Sequence, residues 1–362
     1  MGGTNLRLEK TLLKDVHLSI SEKALVVRLP HPYRVLSSAV LNGGLTCAKA
    51  IINMNVPKNY DHFVPKELLK AVCIEEGLNA NETVGLMTAA DLLNASYKAS
   101  AVNDTEIAIV VTAGTSNAAA AGDDVCARLG TVNIIALIDG ELSDACLVEM
   151  VKTITEAKAL AFRELDIRSR SSRKPATGTT TDSIVIASSQ KGAYVEYSGT
   201  ATPIGKTVSN LTIEALKEAI EKQDGLNAGR GILQRLIEHG FSLEKFIEQL
   251  HRVDIMISRE SLKESLVDIS RETLLAAMLL ACLRLDEDLV LGCIPDQLKN
   301  TLSRQISLAL RSFNAFCYEV LTEKSYVEEP IPIYNGFLFT SLFLQSMLNV
   351  KNVKENIGER QL

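Results

Sequence analysis

The sequence predicts an α+β domain of mixed α/β layers over residues 15–222, followed by an all-α domain over 226–350. Three observations predict this. Short β-branched segments alternate with helical periodicities up to about residue 222, the pattern of a layered domain. The composition changes near Asp224-Gly225, where the three glycines of 225–231 read as a linker. From Arg230 onward the apolar residues recur at helical spacing with almost no strand-like alternation.

The elements follow in order. Residues 24–29, 34–40 and 45–53 read as strands, β-branched or small and broken by Pro30, Pro32 and Gly43-Gly44. Residues 65–76 read as a short helix, with Pro65 in its first turn and Gly77 at its end. Residues 83–88, 106–112 and 131–139 are further apolar strands. Over 143–165 the positions Leu147, Met150, Val151, Ile154, Ala157, Leu160, Ala161 and Leu165 repeat at helical spacing, and Ser143 is placed to cap the helix. Residues 169–181 form a polar, basic loop; 183–187 and 193–197 are strands; 205–223 is mostly helix. Six or so helices fill the second domain, with Pro330, Pro332 and Gly336 setting off the last.

Bulk properties exclude several classes. A net charge of −6 argues against a nucleic-acid binder, and 5% aromatics without Trp leave no stacking platform for bases. The seven cysteines have no CxxC spacing and read as reduced thiols of a cytoplasmic protein. The N-terminus lacks the pattern of a secretory leader. The most apolar runs, 274–285 and 337–350, fall short of the roughly 18 residues of a spanning helix.

The most chemical segment is Pro175-Ala176-Thr177-Gly178-Thr179-Thr180-Thr181-Asp182. It sets hydroxyls, backbone N–H groups and an acid at the entrance of a strand. Asp182 is suited to accept a proton or to hold a nucleophile or metal; the plainer reading is a turn whose hydroxyls satisfy nearby backbone. In Asn42-Gly43-Gly44, a hairpin turn competes with an oxyanion site built from glycine N–H groups and the Asn42 amide. Val111-Thr112-Ala113-Gly114-Thr115-Ser116-Asn117 brings small residues to the end of a buried strand, where backbone can approach a ligand. Gly199 to Thr207 ends in Gly-Lys-Thr, but five residues separate its glycines where a phosphate loop has four, and Pro203 removes an N–H. A helix N-terminus is the better reading. His62 lies in a polar turn; His31 between prolines reads as a rigid loop residue, and His239 and His251 fall in the helical region. Arg168, Arg170, Arg173 and Lys174 form a basic run, either a solvated loop or cations that orient ligand.

Taken in order, these blocks form a series: Leu29-Pro30-His31-Pro32-Tyr33-Arg34 through Asn42-Gly43-Gly44, Asn55-Val56-Pro57-Lys58-Asn59-Tyr60-Asp61-His62, Gly85-Leu86-Met87-Thr88, Val111 to Asn117, Gly130-Thr131-Val132-Asn133, Leu142-Ser143-Asp144, Thr155-Glu156-Ala157-Lys158, and the threonine loop. The series resembles the adenosylcobinamide amidohydrolases of cobamide salvage over roughly residues 24–222. The resemblance implies hydrolysis of the amide joining aminopropanol to the corrin ring, giving adenosylcobyric acid and 1-aminopropan-2-ol.

Two mechanisms are open. In one, Asp182 or His62 acts as general base on water and the Asn42–Gly44 turn holds the oxyanion. In the other, Thr179 or Thr181 attacks and Asp182 stands nearby. The water route is favoured because no amine is evident to activate a hydroxyl. Gly43, Gly44, Thr112, Gly114, Asn117 and Glu156 are the candidate substrate-binding residues. Glu156 and Lys158 are placed either to face the site or to pair with each other on the solvated face of their helix. No cofactor is called for; a divalent metal on Asp182, Glu156 and His62 stays open, though no spacing demands it. The partner is a small corrinoid. The helical domain has two candidate tasks, covering the cleft or making a homo-oligomer contact. A corrinoid-binding or trafficking module without turnover, and an amidase of another substrate, are the alternatives.

Overall fold

The computed structural model describes residues 8–57, 60, 64–125, 130–253, 258–306, 308, 337–344 and 347. They fall into two compact units, Met1–Ala228 and Gly229–Leu362.

The first unit runs β1 (Leu8–Leu13), β2 (Val16–Ile20), β3 (Ala24–Ser37), β4 (Gly44–Asn55), α1 (Pro65–Glu75), β5 (Thr83–Thr88), β6 (Ser96–Val102), β7 (Thr105–Ala113), β8 (Ala118–Ala119), β9 (Val132–Asp139), β10 (Glu141–Leu142), α2 (Asp144–Glu164), β11 (Gly178–Thr179), β12 (Ser183–Ser188), β13 (Tyr194–Val195) and α3 (Pro203–Asp224). Nine strands make one mixed, nearly closed sheet in the order β1-β2-β3-β12-β9-β7-β6, with β4 on β3 and β5 on β4. β3 is the spine. Its first half pairs with β2, its second half with β12, and β4 follows it from Ala24 to Ser37. The β3–β4 register shifts between Arg28 and Tyr33. Pro30 and Pro32 fall inside that irregularity, where no ladder N–H is needed. Two expected strands, split by prolines, are therefore one.

The sheet encloses one core and is covered outside by helices. Along β9, Ile135 and Leu137 point into a cluster shared with Leu25, Val27, Ile51, Leu86 and Val110. Ile134, Ala136 and Ile138 point the other way, to Met150, Ile154 and Phe162 of α2 and Val208 and Leu216 of α3. This is period-2 alternation in a strand buried on both faces. Leu69, Val72 and Cys73 of α1 cover Ile52 and Met54 of β4. Both long helices begin where the sequence caps them: Ser143 accepts from the Cys146 N–H, and Thr202 from the Gly205 N–H.

β1, β2 and β6 have no counterpart among the expected elements. β1 is mostly exposed, so it lacks apolar alternation. β6 enters β7 through Asn103-Asp104, both at positive φ (48° and 62°), a tight hairpin pairing Val102 with Thr105.

In the second unit the described elements are helical: α4 (Ile232–Glu238), α5 (Leu243–Val253), α6 (Arg259–Arg271), α7 (Thr273–Val290) and helical residues 338–344. Leu236, Phe241, Phe246, Leu279, Leu283, Phe339 and Phe343 form its core. Asp286 of α7 accepts from the N–H groups of Phe339 (2.8 Å) and Thr340 (2.9 Å), so it caps the start of that last helical stretch. Burial pushes its carboxyl up to about 6, against the lowering effect of those N–H groups. Pro330, Pro332 and Gly336 lie outside the described residues. Among the described residues no helix is long and apolar enough to cross a membrane.

Candidate active site

The threonine loop is held by a small ribbon. β8 pairs antiparallel with β11, Ala119 with Gly178 and Ala118 with Thr179. The loop then turns so that Asp182, just ahead of β12, becomes its hub. Asp182 Oδ1 accepts from the Val132 N–H at 3.0 Å and from the Thr179 hydroxyl. Oδ2 accepts from the Thr179 N–H at 3.0 Å and from the ammonium of Lys158. The Lys158 and Asp182 side chains are only 11% and 12% exposed, so water screens the pair little.

Gly178 makes this pair fit. A Cβ there would lie 2.2 Å from Asp182 Oδ2 and 2.6 Å from Lys158 Nζ. The glycine thus lets two charged groups press against the backbone; its value lies in the missing side chain.

Lys158 was expected either facing the site or paired with Glu156. The structure gives it Asp182 as partner. Residues two apart on a helix point about 200° away from each other, and Glu156 stands exposed on α2. Lys158 thus brings an ammonium beside the threonine loop. The signal for it was the lysine at the end of the Thr155–Lys158 block, on the same helix as the apolar stripe.

The other hydroxyls are disposed differently. Thr181 donates to the Gly130 carbonyl (2.8 Å) and meets the Thr131 hydroxyl at 2.7 Å. Thr180 accepts from the Asn117 amide at 2.6 Å. Thr179 is the hydroxyl on the Asp182 carboxylate, with the Gly130 carbonyl 3.1 Å away. Asn117, Thr179, Thr181 and Asp182 are thus brought together with Lys158.

The remaining candidates do not join this cluster. The Asn42 amide donates to the carbonyls of Ala80 (2.8 Å) and Thr83 (2.7 Å), which uses both its hydrogens. Gly43 and Gly44 are exposed; a Cβ on Gly43 would lie 2.3 Å from the Ala39 oxygen, and Gly44 has φ +91°. Thr112 is buried and accepts from Asn53 at 2.8 Å. Asn53 in turn accepts from Asn133 (3.0 Å), which also donates to the Met87 carbonyl (2.9 Å). This buried polar chain ties β4 and β5 to β7 and β9 and was not anticipated; its trace in the sequence is two asparagines inside apolar strands. Gly114 donates to the Thr131 carbonyl at 3.1 Å. His62 lies outside the described residues. Among the described residues no group of three His, Cys, Asp or Glu is placed to hold a metal ion.

Three other readings are resolved. The Gly199–Thr207 segment is a capped helix start, and a Cβ on Gly205 would lie 2.1 Å from the Gly199 oxygen, leaving no cradle. Within the basic run, Arg168 is buried against Asp166 (3.0 Å), while Arg170, Arg173 and Lys174 are exposed. His31 sits inside β3 rather than in a loop, 3.0 Å from the Ser189 carbonyl.

A carboxylate, an ammonium and a hydroxyl converging where solvent is scarce are the equipment of a hydrolase that works on a carbonyl carbon. The chain belongs to the adenosylcobinamide amidohydrolase family, whose model matches residues 9–228. An adenosylcobinamide amidohydrolase of Methanosarcina mazei is 28% identical over 193 residues, covering 51% of this chain and 88% of that protein. One of Halobacterium salinarum is 32% identical over 127 residues, 33% of this chain and 52% of that protein. The PH0078 protein from Pyrococcus horikoshii OT3 overlaps at a TM-score of 0.32 with 12% identity, covering 60% of this chain and 83% of that one. The family match ends at residue 228 and takes in β1 and β2.

Proposed function

We propose that Thr179, Asp182 and Lys158 form the reacting centre of this chain. The reaction follows from the family: adenosylcobinamide and water give adenosylcobyric acid and 1-aminopropan-2-ol. One observation supports the assignment of residues. The Thr179 hydroxyl and the Lys158 ammonium meet on opposite oxygens of the Asp182 carboxylate.

In this reading Thr179 Oγ1 attacks the amide carbonyl carbon and its proton passes to Asp182 Oδ1. The carbonyl becomes an oxyanion. Lys158 uses one N–H on Asp182 and has two with no partner among the described residues, so its charge faces the developing anion. The C–N bond breaks as Asp182 returns the proton to the leaving nitrogen. Water then attacks the ester on Thr179, with Asp182 again taking and returning a proton, and the acid is released. The exposed Gly43-Gly44 turn is assigned to the wall that receives the corrinoid. Work in the cytoplasm, with reduced cysteines, belongs to the same proposal, as does a homo-oligomer contact as the task of the helical unit.

Purified protein incubated with adenosylcobinamide is followed by mass spectrometry of the corrinoid. Conversion is expected, with a loss of about 10³-fold in Asp182→Asn and Lys158→Met and of similar size in Thr179→Val. Hydroxylamine is expected to trap the acyl group as a hydroxamate. Wild-type turnover in Thr179→Val, with Asp182→Asn inactive, would return the mechanism to water attack. Tight corrinoid binding with no conversion by folded wild type would leave a binding module.

A further inference from the structure

We propose that Asp224, far from the threonine loop in sequence, is a positioning residue for the reaction: through Thr115 it sets the turn on which Thr179 is held. The inference rests on the reading of Thr179, Asp182 and Lys158 given above.

The first observation is an acid in the wrong place. Asp224 is the last residue of α3, followed by Gly225 in the left-handed cap (φ 69°). A helix C-terminus carries partial negative charge and disfavours a carboxylate. Lys222, two residues back in the same last turn, is the ordinary choice there. A broken local rule marks a place where another demand prevails.

The second observation is what the carboxylate does. Asp224 Oδ2 accepts from both the N–H and the hydroxyl of Thr115, each at 2.7 Å, across 109 residues of chain. Thr115 is 1% exposed and Asp224 half-buried, so these are part-buried, charge-assisted bonds. Its neighbour Gln223 accepts from the Asp91 N–H (3.0 Å) and the Asn94 amide (3.1 Å). The end of α3 therefore grips two loops at once.

The third observation is where the Thr115 turn leads. The Ala118 N–H closes it on the Thr115 carbonyl at 3.0 Å. Asn117 then donates to the Thr180 hydroxyl, and Ala118 is the strand partner of Thr179. Two short steps thus connect Asp224 to the residue assigned as nucleophile. Asp224 touches neither substrate nor reacting atoms in this arrangement; it acts by fixing where Thr179 stands relative to Asp182 and Lys158. Small errors in such placement are costly in rate while leaving the fold intact.

The test compares full-length Asp224→Asn, Thr115→Val and Thr115→Ser with Asp182→Asn, measuring kcat and KM for adenosylcobinamide and the melting temperature. Asp224→Asn and Thr115→Val are each expected to lower kcat about 10-fold, with KM within about 2-fold. The double variant is expected to lose less than the product of the two single losses, because both changes act on the same pair of bonds. Thr115→Ser, which keeps hydroxyl and N–H, is expected to retain most of kcat. A purely structural role would lower the melting temperature and leave kcat per folded molecule unchanged; that result overturns the inference. Should Asp224→Asn not fold, Thr115→Val decides alone, since it removes only the hydroxyl donor. If Asp182→Asn keeps wild-type turnover, the reacting-centre reading falls. If Asp182→Asn is inactive while Asp224→Asn and Thr115→Val keep kcat, only the role of Asp224 falls.

Discussion

Gly178→Ala adds one methyl group where two charged groups already press against the backbone. The added Cβ would stand 2.2 Å from Asp182 Oδ2 and 2.6 Å from Lys158 Nζ. Ordinary contact needs about 3.5 Å, so both groups must retreat, Asp182 Oδ2 by about 1.3 Å and Lys158 Nζ by about 0.9 Å. Asp182 is anchored by the N–H groups of Val132 and Thr179 and by the Thr179 hydroxyl. Lys158 has a flexible stem and this one hydrogen-bond partner among the described residues, so the ammonium moves away readily, while Asp182 moves only by straining those bonds, and the contact between the two is disturbed. A displacement of about 1 Å in a reacting group costs about 10²-fold in rate. The fold loses less. The loop lies at the end of the sheet, and overpacking there costs about 1–2 kcal/mol at most, since the neighbour can move. The expected outcome is kcat about 100-fold down with a urea midpoint close to wild type, both measured on the same preparation. Turnover within about 2-fold of wild type would show that the Lys158–Asp182 contact is dispensable, and the chemistry assigned to it would have to move elsewhere.

Two further outcomes concern stability. The Asp286 carboxyl is raised to about 6 by burial, so its contribution is favourable at pH 4 and is lost as pH rises through 6. Between pH 4 and pH 7 wild type should lose about 2 kcal/mol relative to Asp286→Asn in denaturant unfolding; a difference that stays flat across that range would show the carboxyl is not perturbed. Asn53→Ala strips a partner from both Thr112 and Asn133, each about 1–2% exposed. It should cost about 2–4 kcal/mol by urea denaturation, and a cost below about 1 kcal/mol would mean the polar chain is not holding the two halves of the sheet.

The fold was readable wherever one physical signal dominated. α2 was found because apolar spacing and the Ser143 cap agree, and β5 because six residues buried along their length read as one apolar run. Failures share a cause: the deciding partner lay elsewhere in the chain. Pro30 and Pro32 end a strand by local rules, yet here a register shift absorbs them. β1 is stable because β2 pairs with it, although its own residues are mostly exposed.

The site shows the same division more sharply. That Asp182 mattered could be argued from the threonines around it, since so many hydroxyls beside one acid need an explanation. Its partner could not be argued the same way. Lys158 lies 24 residues earlier, and whether it or Glu156 turns toward the loop depends on the rotation of α2, which is set by Ile154, Ala157 and Ala161 packing on the sheet. The sequence does hold a trace of the answer. Ala157 and Ala161 bury one face of the helix, which leaves position 158 beside that face and position 156 on the far one. Taken with a glycine that interrupts the threonines at 178, that phase predicts a long side chain from α2 reaching into the loop across a missing Cβ. The Lys158–Asp182 pair depends on a helix register and an absent methyl group, both of which become visible only when packing is considered together with chemistry.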